Sequence, residues 1–253
     1  MTYLSVGAGL LVLLVMADVL VSSVVYHRYL THRSVDLNRW LARGLTLFLQ
    51  GMAFAPPLTF VASHRAHHLH TDSSEDPHSP VVHGFWRVLL LTPLLVTRWR
   101  RRKGPQAVAR LCRAIPDERF YTVCDRSWVC LAMSCSCATV FFVIFGWSGL
   151  VLYVLQLWAN YLVGGWVNAV AHTCGNRPHD NSGVNRRGLM PYVVNLWMWG
   201  EWLHNHHHHR PGSPNFGLGG ELDTGYLVCR ALAVVGLASL RDVPSSLEAM
   251  RTT

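Results

Sequence analysis

Fifteen histidines occur in 253 residues, and most of them cluster. Residues 27–32 read His-Arg-Tyr-Leu-Thr-His, and residues 64–68 read His-Arg-Ala-His-His. A lone histidine closes Asn168-Ala169-Val170-Ala171-His172, and residues 200–209 read Gly-Glu-Trp-Leu-His-Asn-His-His-His-His. Neutral imidazole is a ligand for iron, copper and zinc. Nine side chains are candidate metal ligands: His27, His32, His64, His67, His68, His172, His204, His207 and His208. One ion cannot use nine ligands. Two ions, each with four or five nitrogens and an open position, can. Spacing i, i+3, i+4 puts His64, His67 and His68 on one helical face, so all three can point the same way. His27 and His32 lie five residues apart, about 140° around an ideal α-helix. They converge only if the helix end bends or two metals are served. Asn168 lies one turn before His172 on the same face and is a candidate to hold a metal-bound water. Asp72 and Asp76 follow the second box and Glu201 leads into the last, where carboxylates can accept imidazole N–H groups and orient the rings.

The elements that would carry these boxes belong to a membrane protein. Apolar residues make up 51% of the chain and charged residues 14%, against roughly 25% charged in soluble domains. The formal net charge of +8 comes from arginine, since Lys103 is the only lysine. In a membrane protein such an excess marks cytoplasmic loops and attracts anionic head groups. Nucleic acid is not an expected partner, because the basic residues do not form a soluble aromatic-studded face. Seven cysteines without paired spacing exclude a disulfide framework or zinc ribbon.

Tyr3 to Tyr26 is apolar apart from Asp18 and long enough to span a bilayer. Asp18 either is functional or faces a partner helix. Gly44 to Ser63 is uncharged but broken by Gly51, Pro56 and Pro57, so we expect an interfacial or re-entrant hairpin. Arg98-Trp99-Arg100-Arg101-Arg102-Lys103 is a basic cytoplasmic stretch facing lipid, or a docking patch for an acidic carrier. Trp128 to Val170 has no charge and is divided by Gly146-Trp147-Ser148-Gly149, which predicts two spans joined by a tight turn. Arg126 and Arg177 flank this pair, so both ends are expected in the cytoplasm. That returns His172 to the face that carries the other boxes. Gly188 to Leu203 is a short interfacial helix, an amphipathic helix follows Asp223, and the tail is polar. The expected fold is an all-α integral membrane protein forming a single domain over residues 1–253. It has about three transmembrane helices, a re-entrant hairpin and a cytoplasmic helical cap that holds a di-metal site.

The HxxxxH, HxxHH and HNxHH boxes resemble those of membrane fatty acid desaturases, in particular the acyl-CoA (delta-9-like) branch. The NxxxH element, the Asp76-Pro77-His78-Ser79-Pro80 turn and Glu221-Leu222-Asp223-Thr224-Gly225-Tyr226 resemble bacterial members. The resemblance runs from about Val21 to Pro244. It implies two iron ions held by the nine histidines, with Asn168 supporting a coordinated water. It implies O2 as co-substrate and a cis double bond formed in an acyl-CoA, acyl-carrier-protein or acyl-lipid substrate. It further implies a location in the bacterial inner membrane with the boxes on the cytoplasmic side. By the same resemblance His206 and His209 sit where the family holds no metal, and His70, His78, His83 and His179 are off-pattern. Phe60 stands where many relatives carry Trp, four residues before HxxHH. Phe60 and Trp166 are candidate walls of the substrate tunnel. Arg210 replaces a common hydrophobic residue, and one span precedes the first box where the family has two. No fused cytochrome b5 signature is present, so electrons are expected from a separate ferredoxin or cytochrome b5-type donor with its reductase. Two other readings compete: a related acyl hydroxylase, acetylenase or decarboxylase, and a histidine-rich metal transporter. A transporter would place its ligands at the bilayer midplane.

Overall fold

A computed structural model describes residues 3–186 and 189–241. The first helix, α1 (Tyr3–Val21), passes without a break into a wide-wound segment, Ser22–His32. There the backbone adopts π-helical winding, in which carbonyls bond amides five residues on; the Arg33 amide closes it by donating to the Arg28 carbonyl. The strand β1 (Val35–Leu37) follows, then α2 (Arg39–Ala53), capped by the Asn38 side chain, which accepts from the amides of Trp40 and Leu41. Next comes α3 (Pro57–His70), whose first-turn proline costs no hydrogen bond. The short α4 (Pro80–His83) leads to α5 (Phe85–Leu111), which kinks at Gly104 before Pro105. A turn-rich stretch holds α6 (Glu118–Cys124). The long pair α7 (Ser127–Phe145) and α8 (Trp147–Val170) is separated by Gly146 alone. The chain ends in α9 (Leu189–Met198), α10 (His204–His209), α11 (Thr224–Val234) and β2 (Ala238–Leu240).

Among the described residues, three helical stretches are long and apolar enough to cross a membrane: Val6–His32, Ser127–Phe145 and Trp147–Val170. These are the three spans expected, and the tight turn falls at the Gly146 cluster. Gly149 is needed there, because a Cβ would strike the Phe141 carbonyl of α7. The expected interfacial or re-entrant hairpin falls on α2 and α3, which meet at 88°. Pro56 and Pro57 force the break, and Phe54 ends α2 in the left-handed region. The structure also adds a small antiparallel pair, β1 with β2, that the helical pattern did not announce.

Asp18 faces a partner helix. It is 2% exposed and accepts hydrogen bonds from the Gln156 and Asn160 amides of α8. Tyr153 of α8 donates to the Gly51 carbonyl at 2.6 Å, which ties α2 into the same bundle. All seven cysteines are free thiols. The basic run on α5 is partly paired: Arg100 reaches Asp125 at 2.7 Å, Lys103 pairs with Glu75, and Trp99 is buried. The polar tail beyond residue 241 and Gly188 lie outside the described residues.

Candidate metal centre

The ends of four elements meet at one end of the bundle. The wide-wound end of α1 brings His27 and His32, the C-terminal half of α3 brings His64, His67 and His68, the turn after α8 brings His172, and α10 brings His204, His207 and His208. All nine predicted ligands converge. Eight are less than a tenth exposed, and His208 is partly buried. They form two groups: His27, His32, His64, His68 and His207, and His67, His172, His204 and His208. Within each group the candidate ligand atoms all lie within 4.8 Å of one another.

The π winding resolves the five-residue spacing of the first box. With carbonyls bonded five residues on, residues five apart stack one turn above another. The His27 and His32 rings accordingly lie 4.9 Å apart and join the same group. The second box splits between the two groups. His64 and His68, spaced i, i+4, face the first group, while His67 turns to the second. The last box divides the same way, with His204 and His208 in one group and His207 in the other. The second and last boxes therefore each serve both groups.

The nitrogens are arranged as donors to a cation. His207 Nε2 lies 2.9 Å from His27 Nε2 and 3.0 Å from His68 Nε2. His172 Nε2 lies 3.1 Å from His67 Nε2 and 3.0 Å from His204 Nε2, which is itself 3.0 Å from His208 Nε2. A ring nitrogen carries at most one proton, so these crowded contacts cannot all be hydrogen bonds. Metal–imidazole bonds of about 2.0–2.1 Å put neighbouring ligand nitrogens at about this separation. His32 Nε2 is buried without a hydrogen-bond partner, as a lone pair awaiting an ion would be. Burial, reinforced by neighbouring imidazoles, holds His204, His207 and His208 well below the usual imidazole range. Neutral imidazole is the form that ligates. The donor set thus fits two metal ions.

Two of the three predicted carboxylates hydrogen-bond these rings, and the third faces one without bonding it. Glu201 accepts from His27 Nδ1 at 2.8 Å, and Asp76 accepts from His67 Nδ1 at 2.8 Å. A carboxylate can only accept, so each Nδ1 carries the proton and each Nε2 offers its lone pair. Asp72 approaches His172 Nδ1 at a longer 3.5 Å and accepts from Ser79 Oγ at 2.6 Å. Burial pushes the carboxyls of Asp72, Asp76 and Glu201 upward, but the hydrogen-bond donors and favourable electrostatics around them, with Arg28 beside Glu201, outweigh it and hold all three below the ordinary carboxylate range.

Phe60 stacks on His64 at 5.6 Å and meets Tyr26 edge-on, directly beside the first group. Asn168 is half-buried in the last turn of α8. Trp166 is 45% exposed on the outer surface of α8. Of the off-pattern histidines, His78 is buried and stands 4.7 Å from the His67 ring, its backbone amide donating to Asp76. His83 donates to the Asp76 carbonyl at 3.2 Å. His206 and His209 join neither group.

Several supporting residues carried no signal in the sequence. Arg28, fully buried, forms a two-pronged pair with Asp223 at 3.0 and 2.8 Å and lies 3.7 Å over the Phe216 ring. Phe216 in turn packs on His27 and His207. Asn185 Oδ1 accepts from the Asn205 amide at 2.8 Å and fixes the start of α10. Asn205 clamps the 179–183 loop, accepting from the His179 amide and donating to the Gly183 carbonyl. The hints available were Asn205 inside HNxHH and Asp223 inside the Glu221–Tyr226 stretch.

A family model for fatty acid desaturases matches residues 2–219. The chain belongs to the fatty acid desaturase family. It is 32% identical over 236 residues to the delta-9 desaturase-like 5 protein of Arabidopsis thaliana, covering 88% of this chain and 72% of that one. It is 27% identical over 220 residues to the sn-1 stearoyl-lipid 9-desaturase of Anabaena variabilis, covering 85% and 75%. An acyl-CoA C20 Delta5-desaturase of Anemone leveillei is 26% identical over 234 residues, covering 89% and 70%. Such relatives support an oxidoreductase acting on fatty acyl substrates in a membrane context. The names of these relatives include both a lipid-linked and a CoA-linked acyl chain.

Proposed function

We propose that this desaturase inserts a cis double bond into an acyl chain in an O2-dependent reaction at a di-iron centre. The observation that carries this reading is the division of nine buried or partly buried imidazoles into groups of five and four, with Glu201 and Asp76 hydrogen-bonded to His27 and His67 and Asp72 facing His172. Two iron ions held there would supply the O2 activation needed to remove hydrogen from an unactivated methylene pair. The protein residues supply the rest. Glu201 and Asp76 keep the Nδ1 protons of His27 and His67 in place. Arg28 and Phe216 close the site from the α11 side. Phe60 and Tyr26 wall an apolar approach beside His64, where an acyl chain would pass and water would be excluded. Asn168 would hold a water near the second group, and Trp166 would meet the chain only where it leaves the lipid.

The carrier has a matching surface. On one face of α5, Arg87, Leu91, Leu95, Arg98 and Arg102 line a cavity of about 460 Å³ against the Asp76–Pro77 turn. Guanidinium groups around apolar residues suit an acyl chain attached to a phosphate-bearing carrier, whether CoA, acyl-carrier protein or phospholipid. The arginine-rich flanks support a histidine end on the cytoplasmic side of the inner membrane. The same basic face suits an acidic ferredoxin or cytochrome b5-type donor. The test is lipid analysis after expression in a host lacking its own desaturase, with His207→Ala as control. New monoenes that vanish in the control are expected. Hydroxy acids or terminal alkenes would replace the reading with a related oxidation.

A further inference from the structure

Two histidines outside the nine meet with the spacing of ligands. His179 Nε2 and His206 Nδ1 lie 2.8 Å apart, close to the 2.9–3.1 Å separations inside the buried groups. Two nitrogens at that distance, each about 2.0–2.1 Å from one ion, subtend about 90°, an ordinary ligand angle for a divalent metal. The backbone at both positions is held by asparagine side chains. The His179 amide donates to Asn205 Oδ1 at 2.8 Å, and its carbonyl accepts from Asn205 Nδ2 at 3.2 Å. The His206 amide points at Asn185 Oδ1 at 3.3 Å. A third imidazole, His209, is exposed and lies face to face on His179 at 3.9 Å. Rotation of that exposed side chain can bring its nitrogen to the pair. Asp180 is exposed beside them.

We propose that His179 and His206, with His209 as an exchangeable third ligand, form a surface site for a divalent transition ion, separate from the nine-histidine centre. Imidazole nitrogens with open, water-filled positions suit Zn2+, Ni2+ or Cu2+. None of the three belongs to the five- and four-histidine groups, so the site can fill and empty while the buried centre stays loaded.

The test titrates Zn2+ into the iron-loaded protein by calorimetry, with iron and zinc counted on the same sample afterwards. One zinc per chain beyond the iron is expected, with iron retained. Binding should weaken at least tenfold in both His179→Ala and His206→Phe. Unchanged monoene formation by His179→Ala shows that the fold and the buried centre are intact. No zinc uptake overturns the proposal and leaves a simple hydrogen bond between the two rings. Zinc uptake that His179→Ala does not weaken also overturns it, as does zinc that only displaces iron. The difference between the protein and its variants is read whatever ion fills the buried groups, so the outcome stands apart from the di-iron reading.

Discussion

Asp76→Asn isolates the work of one carboxylate on one half of the centre. Asp76 accepts from His67 Nδ1 at 2.8 Å and from the backbone amides of Asp72 and His78 at 3.0 Å each. It is 1% exposed. The introduced side-chain amide has one acceptor oxygen where the carboxylate has two. Either it loses backbone bonds or it presents an N–H to His67 Nδ1. In the second case the His67 proton moves to Nε2, which can then no longer ligate. Loss of such a partner weakens metal binding roughly 10–100-fold, or about 1.4–2.8 kcal/mol. Because His67 belongs only to the four-histidine group among the two large ones, one ion of two should be affected. The assay is stopped-flow removal of iron by a chelator. The variant should release about half its iron in a new fast phase, and Glu201→Gln should do the same for the other half. A release profile unchanged from the parent, or equal acceleration of all the iron, would refute the assignment of Asp76 to one group.

Three further outcomes follow from the packing. The Arg28–Asp223 side chains are both fully buried, and removing one partner of a buried pair costs up to about 3–5 kcal/mol, tempered here by Glu201 3.7 Å from Arg28; Asp223→Asn should lower the thermal midpoint in detergent, and a midpoint within a degree or two of the parent would contradict this. A Cβ at Gly165 would strike the Leu89 carbonyl of α5, whereas one at Gly164 meets nothing within 4 Å; Gly165→Val should therefore cost about 1–3 kcal/mol in the same melt while Gly164→Val costs little. Burial pushes the thiols of Cys112, Cys124 and Cys229 up to about 11, so their reactive thiolates form only as pH rises toward that value. A membrane-impermeant maleimide at pH 8, read by mass spectrometry, should label exposed Cys174 and leave these three unmodified until the protein is denatured.

The candidate metal ligands and the membrane-length helices were legible in the sequence because both depend on residue type and spacing. Imidazole boxes announce metal, and an uncharged stretch from 128 to 170 announces two spans that return the chain to the face it left. Carboxylates next to the boxes were also readable, since Asp72 and Asp76 closely follow the second box and Glu201 leads into the last. How the nine ligands divide was not. On an ideal helix His27 and His32 diverge, and only the π winding of Ser22–His32 stacks them. That winding is set by contacts far away in sequence, among them Arg28 with Asp223 and Ser23 with Glu201 at 2.5 Å. The HxxHH spacing permits one shared face, but side-chain direction is decided by what stands opposite. His67 turned to His172 and Asp76, leaving His64 and His68 to face His27 and His207. Nor could the sequence show that His179 and His206, 27 residues apart, touch. Local spacing determines which residues can bind metal, while the long-range packing of α1, α3, α8 and α10 determines which of them share an ion.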